Sequence, residues 1–258
     1  MYFDKLRLDG RVAVVTGGGR GIGLACVEAL SEAGASVVIA DADMSIAESG
    51  CAEMKGKGFE VEIVRLDVTR PDEVTHVADD IFGRRGRVDI LVANAGIARS
   101  GTPAEELMDE HWLNVNDVNY NGVFWCNRAF GRHMLRAGKG AIVNVGSMSG
   151  YIVNRPQKQA YYNASKAAVH HLTSSLAAEW ADRNVRVNAV APTYINTPLN
   201  NFGGEGMAAM KAAWLRDTPM GRMGEADEVA SVVHFLASDA ASLMTGAVVL
   251  ADGGFTCW

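Results

Sequence analysis

Short hydrophobic runs alternate with longer amphipathic segments along the 258-residue chain. The short runs are continuous, as is typical of parallel strands covered on both faces, and they span residues 11–16, 36–40, 61–66, 88–93, 141–145, 185–191 and 247–250. The segments between them have helical length and period, and they span residues 21–33, 42–57, 71–85, 107–136, 160–182 and 226–238. This alternation predicts a doubly wound α/β fold of the Rossmann type, a seven-stranded parallel sheet with helices on both faces.

One interval departs from this alternation. It lies between the sixth predicted strand and the last predicted helix, and it contains Gly203, Gly204 and Gly206 together with three prolines. The interval spans residues 193–222, and loops of about 30 residues are usually either disordered or functional. We therefore expect it to form a substrate lid. No linker, repeat or low-complexity tract divides the chain, and residues 1–258 are therefore expected to form a single domain.

Composition and charge exclude several classes of function. The chain is 48% hydrophobic, carries a formal net charge of -6 and has a pI near 5.5. A nucleic-acid or anionic-membrane surface would need a concentrated basic patch, which this sequence lacks. The first residues interrupt their apolar positions with charges, and no apolar run approaches the roughly 20 residues of a membrane span. We therefore expect a cytoplasmic protein without nucleic-acid or membrane partners.

The cysteines and histidines do not form a metal-ligand pattern. Cys26, Cys51, Cys126 and Cys257 are scattered without close spacing, which favours isolated thiols over disulfides or a metal site. The adjacent histidines 170 and 171 would point in different directions on a helix. No metal site is predicted.

A glycine-rich turn joins the first predicted strand to the first predicted helix. Glycines allow a tight turn and a close approach of the backbone to a pyrophosphate, and the unpaired amides at a helix start attract its negative charge. The spacing is wider than the usual G-x-G-x-x-G, and a bare glycine turn is the alternative. The candidate cofactor-binding residues of this turn are Gly17, Arg20, Gly21, Ile22 and Gly23.

A carboxylate at the end of the second strand indicates which dinucleotide binds. Asp41 lies about 20 residues beyond the glycines, where a carboxylate can bind the adenosine ribose hydroxyls. It would repel the 2′-phosphate of NADP, and only Arg20 could partly offset that repulsion, so NAD is the predicted cofactor. Further candidates, which could equally be turn residues, end the third and fourth strands: Asp67, Val68, Asn94, Ala95 and Gly96.

A tyrosine, a lysine and a serine provide candidate acid/base chemistry. Tyr162 and Lys166 are four residues apart and share one face if the segment is helical. A nearby cation favours the phenolate and moves its proton transfer toward neutral pH. Ser147 ends the fifth strand and could orient a substrate oxygen beside Tyr162. Taken alone, the Tyr162–Lys166 pair could also be a solvated helix face.

With these motifs in this order, the whole chain resembles the short-chain dehydrogenase/reductase family. The resemblance implies that Tyr162 is the catalytic acid/base, that Ser147 orients the substrate, and that Lys166 lowers the pKa of Tyr162 and binds the nicotinamide ribose. It also implies that Asn119, in Val-Asn-x-x-Gly, holds a water of a proton relay.

The segment after the sixth strand matches the family only in part. Pro192 corresponds to the first residue of the family's Pro-Gly turn, but Thr193 replaces the glycine. The following Ile-x-Thr implies that Ile195 and Thr197 contact the nicotinamide carboxamide. The resemblance also implies a homotetramer, with Trp258 near a subunit interface.

Within the family, the segment 147–157 and the carboxyl terminus are similar to bacterial sugar-alcohol dehydrogenases of the galactitol type. A polyol pocket needs several hydrogen-bond partners, because buried hydroxyls left unpaired cost ~1–3 kcal/mol each. The candidates are Ser149, Asn154 and Gln157, beside Ser147 and Tyr162, and ordinary loop polarity is the alternative.

Three functions follow. The first is NAD-dependent interconversion of a secondary alcohol, of a polyol, with its ketone. The second is an NADPH-dependent reductase of carbonyls or 3-oxoacyl thioesters. The third is a non-catalytic nucleotide-sensing protein, which would not need the set Asn119, Ser147, Tyr162 and Lys166.

Overall fold

The structure is a computed structural model that describes residues 1–98, 101–200 and 206–257. Its centre is a seven-stranded sheet in the order β3-β2-β1-β4-β5-β6-β7, and every neighbouring pair is parallel. The strands are β1 Val12–Thr16, β2 Ser36–Asp41, β3 Glu62–Arg65, β4 Ile90–Ala93, β5 Gly140–Val145, β6 Val185–Pro192 and β7 Val248–Ala251. The predicted fold class is confirmed, and each predicted strand lies within two residues of an observed one.

Helices cover both faces of this sheet. They are α1 Gly21–Glu32, α2 Met44–Gly56, α3 Pro71–Arg85, α4 Asp109–Asn116, α5 Gly122–Ala137, α6 Ala160–Trp180, α7 Met207–Asp217 and α8 Ala226–Ala237. Buried side chains of α3, α5 and α6 form one core layer, and those of α1, α2 and α8 form the other. None of the helices in the described ranges is both long and apolar enough to cross a membrane.

The structure differs from the predicted helix over residues 107–136, which is interrupted. Residues Asp117–Asn121 form a π-helical turn between α4 and α5. Such turns are local widenings of a helix and are frequent at functional sites. Here the turn contains the buried Asn119, which hydrogen-bonds to the backbone of Ile97 in the loop after β4.

The predicted lid is also not entirely a loop, because it contains α7. Its sequence Met-Ala-Ala-Met-Lys-Ala-Ala-Trp is rich in strong helix formers. Trp214, in the third turn, is only 3% exposed and anchors the helix to the body of the protein. Residues 201–205 of the predicted lid and Trp258 lie outside the described residues.

The strand order positions the site. β1 lies between β2 and β4, so the chain runs outward from β1 in one direction through β2 and β3, and in the other through β4 to β7. Ligands of open α/β sheets bind beyond the carboxyl ends of the strands at such a switch point. The glycine turn after β1 and the loops after β4 and β5 all leave the sheet at that edge.

Two helical glycines test how tightly this fold is packed. A Cβ added at Gly131 of α5 would lie 2.8 Å from two ring atoms of the buried Trp180, whereas one added at the exposed Gly83 of α3 would meet nothing within 4 Å. We expect Gly131→Ala to lower the free energy of unfolding by about 1–3 kcal/mol, because the core is overpacked. Gly83→Ala should raise it by up to ~1 kcal/mol through helix propensity. Urea unfolding measures both, and equal effects would contradict the packing described here.

Candidate active site

A cleft of about 800 Å³ opens at the carboxyl edge of the sheet, above the β1–β4 switch point. It runs from the glycine turn past the ends of β4, β5 and β6 to α7. The sequence-predicted residues that line it are Gly17, Arg20, Gly21, Ile22, Gly23, Asp41, Asp67, Val68, Asn94, Ala95, Gly96, Ser147, Ser149, Gln157, Tyr162, Lys166, Pro192, Ile195 and Thr197. Asn119 and Asn154 do not line it.

The glycine turn has a geometry that only glycine permits. Gly17 has φ +61°, and an added Cβ would lie 3.0 Å from Cα of Ala95. A Cβ at Gly23 would overlap the carbonyl oxygen of Gly17. Helix α1 begins without a side-chain capping bond from Arg20, which leaves its first amides to bind an anion. The turn therefore fits the pyrophosphate of a dinucleotide.

Asp41 is held at the other side of this turn. Its carboxylate accepts hydrogen bonds from the backbone N–H of Gly19 and of Asp43, each at 3.2 Å. Single contacts of this length leave acceptor positions on both oxygens for the hydroxyls of a ribose. Arg20 also lines the cleft. Hydrogen bonds from Ser45, with a smaller contribution from the Arg20 charge, hold the pKa of Asp43 below its usual range.

Asn94 and Asp67 make turn bonds as well as lining the cleft. The Asn94 amide donates to the carbonyl oxygens of Thr16 and Gly17, both at 2.9 Å, and so ties the loop after β4 to the glycine turn. Asp67 accepts from the N–H and the hydroxyl of Thr69, at 3.0 and 2.7 Å. The turn role that the sequence left open is thus present, and it keeps both residues at the cleft wall.

Lys166 is the buried cation of the site. Its side chain extends from α6, is 4% exposed, and donates a 2.8 Å hydrogen bond from Nζ to the carbonyl oxygen of Val145, at the end of β5. Burial lowers the pKa of Lys166 to about 8, because a desolvated ammonium is disfavoured. The amine can therefore gain or lose a proton close to neutral pH.

Tyr162 lies one helical turn before Lys166, with the ammonium 5.8 Å from its ring centroid. Burial raises the pKa of Tyr162, and a hydrogen bond with Ser147 opposes that rise. The direction is opposite to the lowering by Lys166 that the family resemblance implied. The physical reason is that desolvation of the phenolate outweighs the lowering effect of the Ser147 hydrogen bond.

Asn119 connects this pair to the loop after β4 from behind the cleft. Its Oδ1 accepts from Ile97 N–H at 2.8 Å, and its Nδ2 donates to the Ile97 carbonyl at 2.9 Å and to Ser165 Oγ at 3.3 Å. A Cβ placed on Gly96 would lie 3.4 Å from Asn119 Oδ1 and 3.7 Å from Lys166 Nζ. The asparagine and the lysine therefore converge at Gly96.

The turn after β6 does not require glycine at position 193. Asn184 is the single non-glycine residue with positive φ in the described ranges, so Thr193 adopts an ordinary backbone conformation. Its N–H donates to the carbonyl oxygen of Ala251 on β7 at 3.2 Å. Pro192, Ile195 and Thr197 follow the cleft wall beyond the Tyr162–Lys166 pair.

The three predicted polyol contacts have different surroundings. Ser149 and Gln157 line the cleft, but the Asn154 amide lies outside the lining and donates to the Tyr194 hydroxyl at 2.8 Å. Tyr194 and Trp214 are lining residues that the sequence reasoning missed. Their aromatic side chains within the assumed loop were the available signal, since large aromatics in a lid need something to pack against.

His170 supports the Ser147 turn from below. Its ring leaves no space for a Cβ at Gly146 or Gly150, and Ser147 N–H points to its Nε2 at 3.5 Å. Burial and the neighbouring Lys166 charge lower the pKa of His170 to about 4. The ring is therefore a neutral spacer at physiological pH.

Comparisons with known proteins agree with this geometry. Residues 17–256 match the family described as enoyl-(acyl carrier protein) reductase. The chain is 57% identical to a galactitol 2-dehydrogenase of Rhizobium johnstonii, covering 100% of this chain and 99% of that one. The solved structure of gox2181 has a TM-score of 0.97 at 56% identity, with each chain fully covered. A gluconate 5-dehydrogenase from Burkholderia cenocepacia, in complex with NADP and tartrate, has a TM-score of 0.93 at 37% identity, again with full coverage of both chains.

The neutral state of His170 has a consequence for acid stability. Because its folded pKa of about 4 lies below the ordinary 6.5, the unfolded chain binds more protons between these values. The stability that His170 contributes is present above pH 6.5 and is lost as the pH falls toward 4. The free energy of unfolding, measured in urea, should fall less between pH 7.5 and pH 5 in His170→Gln than in the wild type. The matched variant of the exposed neighbour, His171→Gln, should keep the wild-type pH dependence, and identical profiles for both variants would contradict the assignment.

Proposed function

We propose that this chain, which belongs to the short-chain dehydrogenase/reductase family, interconverts a secondary alcohol of a sugar alcohol and the corresponding ketose with NAD. The predicted family resemblance is confirmed, and the protein is an oxidoreductase whose family uses NAD or NADP. The observation that carries the proposal is the convergence of Ser147, Tyr162 and Lys166 in one cleft with the glycine turn.

In the proposed reaction, Tyr162 Oη takes the proton of the substrate hydroxyl as its own proton passes toward Lys166, while Ser147 Oγ holds the substrate oxygen in place. When bound, the nicotinamide ring supplies the acceptor for the hydride that leaves the substrate carbon. Lys166, with a pKa of about 8, can exchange a proton with its surroundings as Tyr162 cycles between its two forms. The oxygen and the nitrogen of the Asn119 amide both hydrogen-bond to the backbone of Ile97, and Asn119 would hold a water of this relay near Lys166.

A polyol substrate is supported by the buried polar side chains that line the cleft with Tyr162. Ser147 and Ser149 are each less than 8% exposed and line the cleft, so a bound hydroxyl would be both desolvated and hydrogen-bonded there. The name of the Rhizobium johnstonii relative points to the same substrate class. A panel of polyols, assayed by NADH formation, tests this proposal, and the absence of turnover on all of them would contradict it.

NAD as the cofactor is supported by the carboxylate of Asp41 at the ribose end of the cleft. Arg20 and the NADP-bound structure of the gluconate 5-dehydrogenase are the observations that favour the alternative, an NADPH-dependent carbonyl or 3-oxoacyl thioester reductase. A nucleotide sensor is less well supported, because sensing needs no pair like Tyr162 and Lys166.

We also propose a homotetramer. It is supported by exposed apolar side chains on α4, where Trp112 and Leu113 are 44% and 56% exposed, since such surfaces often mark subunit contacts. The cytoplasmic location stays a prediction from the sequence.

The acid/base role of Tyr162 predicts the behaviour of one variant. Tyr162→Phe should lower kcat by about 100- to 10,000-fold, because the proton acceptor is gone. NADH binding, followed by fluorescence titration, should change little. The control Tyr151→Phe, outside the cleft lining, should keep its activity, and an active Tyr162→Phe enzyme would refute the mechanism.

The role of Asp41 predicts a change in cofactor preference. Asp41→Asn keeps an acceptor for Gly19 N–H but removes the charge that would repel a 2′-phosphate. We expect the ratio of kcat/KM for NADP to that for NAD to rise roughly 10-fold or more. Asp72→Asn, at an exposed carboxylate of α3, is the matched control. A wild-type enzyme that prefers NADP would contradict the assignment.

A further inference from the structure

A small aromatic cluster closes the substrate end of the cleft. The ring of Tyr194, in the segment after β6, stacks on Trp214 of α7 with centroids 4.0 Å apart and planes 6° from parallel. Phe255 meets the same ring edge-on at 5.6 Å. Tyr194 is 8% exposed and Trp214 is 3% exposed, so both rings are held in place on almost every side.

A directional chain of hydrogen bonds ends at the Tyr194 hydroxyl. The indole N–H of Trp214 donates to Gln157 Oε1 at 3.1 Å, and an indole can only donate, so this bond fixes which end of the Gln157 amide faces Trp214. The other end, Nε2, donates to Tyr194 Oη at 2.9 Å. Asn154 Nδ2 donates to the same oxygen at 2.8 Å.

These contacts determine what the Tyr194 hydroxyl can still do. A phenol oxygen has two acceptor positions and one proton to donate. Both acceptor positions are used by the Gln157 and Asn154 amides, and every contact that the structure describes for this hydroxyl is one that it accepts. Its proton is thus left to point elsewhere, as a donor whose direction the two amides dictate.

The cleft that Tyr194 lines also holds the candidate reacting groups Ser147 and Tyr162. Tyr194 lines the cleft together with Tyr162 and is close enough to contribute to the raised pKa of Tyr162. A polyol whose reacting hydroxyl lies at Tyr162 would bring its neighbouring oxygens, one carbon away, toward Tyr194.

We propose that Tyr194 is a specificity-determining residue that donates a hydrogen bond to a substrate hydroxyl on a carbon adjoining the reacting carbon. Asn154 and Gln157, predicted from the sequence as direct polyol contacts, are then positioning residues that orient the Tyr194 proton. This inference rests on the proposed polyol oxidation. It explains why Asn154 is buried and polar although it lies outside the cleft lining.

The test removes the proposed hydrogen bond from either side, by substituting the enzyme or by using a substrate that lacks one hydroxyl. Wild type, Tyr194→Phe and Asn154→Ala are assayed on galactitol and on its 1-deoxy and 3-deoxy derivatives, which lack the hydroxyls flanking C2. Phenylalanine keeps the ring that stacks on Trp214 and removes the hydroxyl, which is both the proposed donor and the acceptor of the Asn154 and Gln157 amides. Wild type should favour galactitol over one derivative by roughly 5- to 30-fold in kcat/KM, the loss expected when a buried hydrogen bond is missing.

Tyr194→Phe should reduce that preference toward 1, while Asn154→Ala should reduce it only in part, because the donor is still present but only Gln157 then orients it. NADH titration of each variant reports whether the cofactor site has folded. If Tyr194→Phe lowers kcat/KM for all three substrates by the same factor, Tyr194 lines the cleft without recognising a hydroxyl, and the inference is wrong. If wild type oxidises no polyol, the proposed function itself fails, and the assignment of Tyr194 falls with it.

Discussion

The desolvated ammonium of Lys166 is the constraint on which the site depends. A buried charge is costly unless it is hydrogen-bonded, and here the compensating partner is the Val145 carbonyl, 2.8 Å away at the end of β5. That bond ties α6 to the edge of the sheet and thereby places Tyr162, one turn earlier, beside Ser147. The same burial that demands the bond also lowers the pKa of Lys166 to about 8, so structural and chemical requirements coincide in one side chain.

Two further sets of contacts, made by Asn119 and His170, hold these residues in place. The π turn Asp117–Asn121 directs the Asn119 amide at the backbone of Ile97, and so attaches the loop after β4 to the helix layer. The ring of His170 fills the space beneath the Ser147 turn, which requires glycine at positions 146 and 150. The polar groups of the site are therefore fixed by packing on rigid elements, as electrostatic preorganisation requires.

Much of the fold could be predicted from the sequence, because strands buried on both faces and amphipathic helices differ in the period of their hydrophobic residues. Gly17, Gly23 and Asp41 could be proposed because the chemistry of phosphate and ribose binding restricts which residues fit, and all three line the cleft. Helix α7 was missed because the glycines before it suggested a loop, and its stability depends on Trp214 packing against Tyr194, which is distant in sequence. The direction of Asn154 was equally invisible, since composition does not reveal toward which neighbour an amide points.

The pKa of Tyr162 illustrates the same limit. A lysine four residues away suggests a lowered pKa, but burial of the phenol shifts the pKa of Tyr162 in the opposite direction. These effects depend on tertiary contacts and not on spacing along a helix.

The most direct test of the account is the fate of the hydrogen on the reacting carbon. Galactitol deuterated at its secondary carbons would be incubated with NAD and the enzyme, and the mass of the reduced nucleotide would be measured. The account predicts NADH that is heavier by one deuterium, together with a ketose. Unlabelled NADH, or no reduced nucleotide with any polyol, would contradict it.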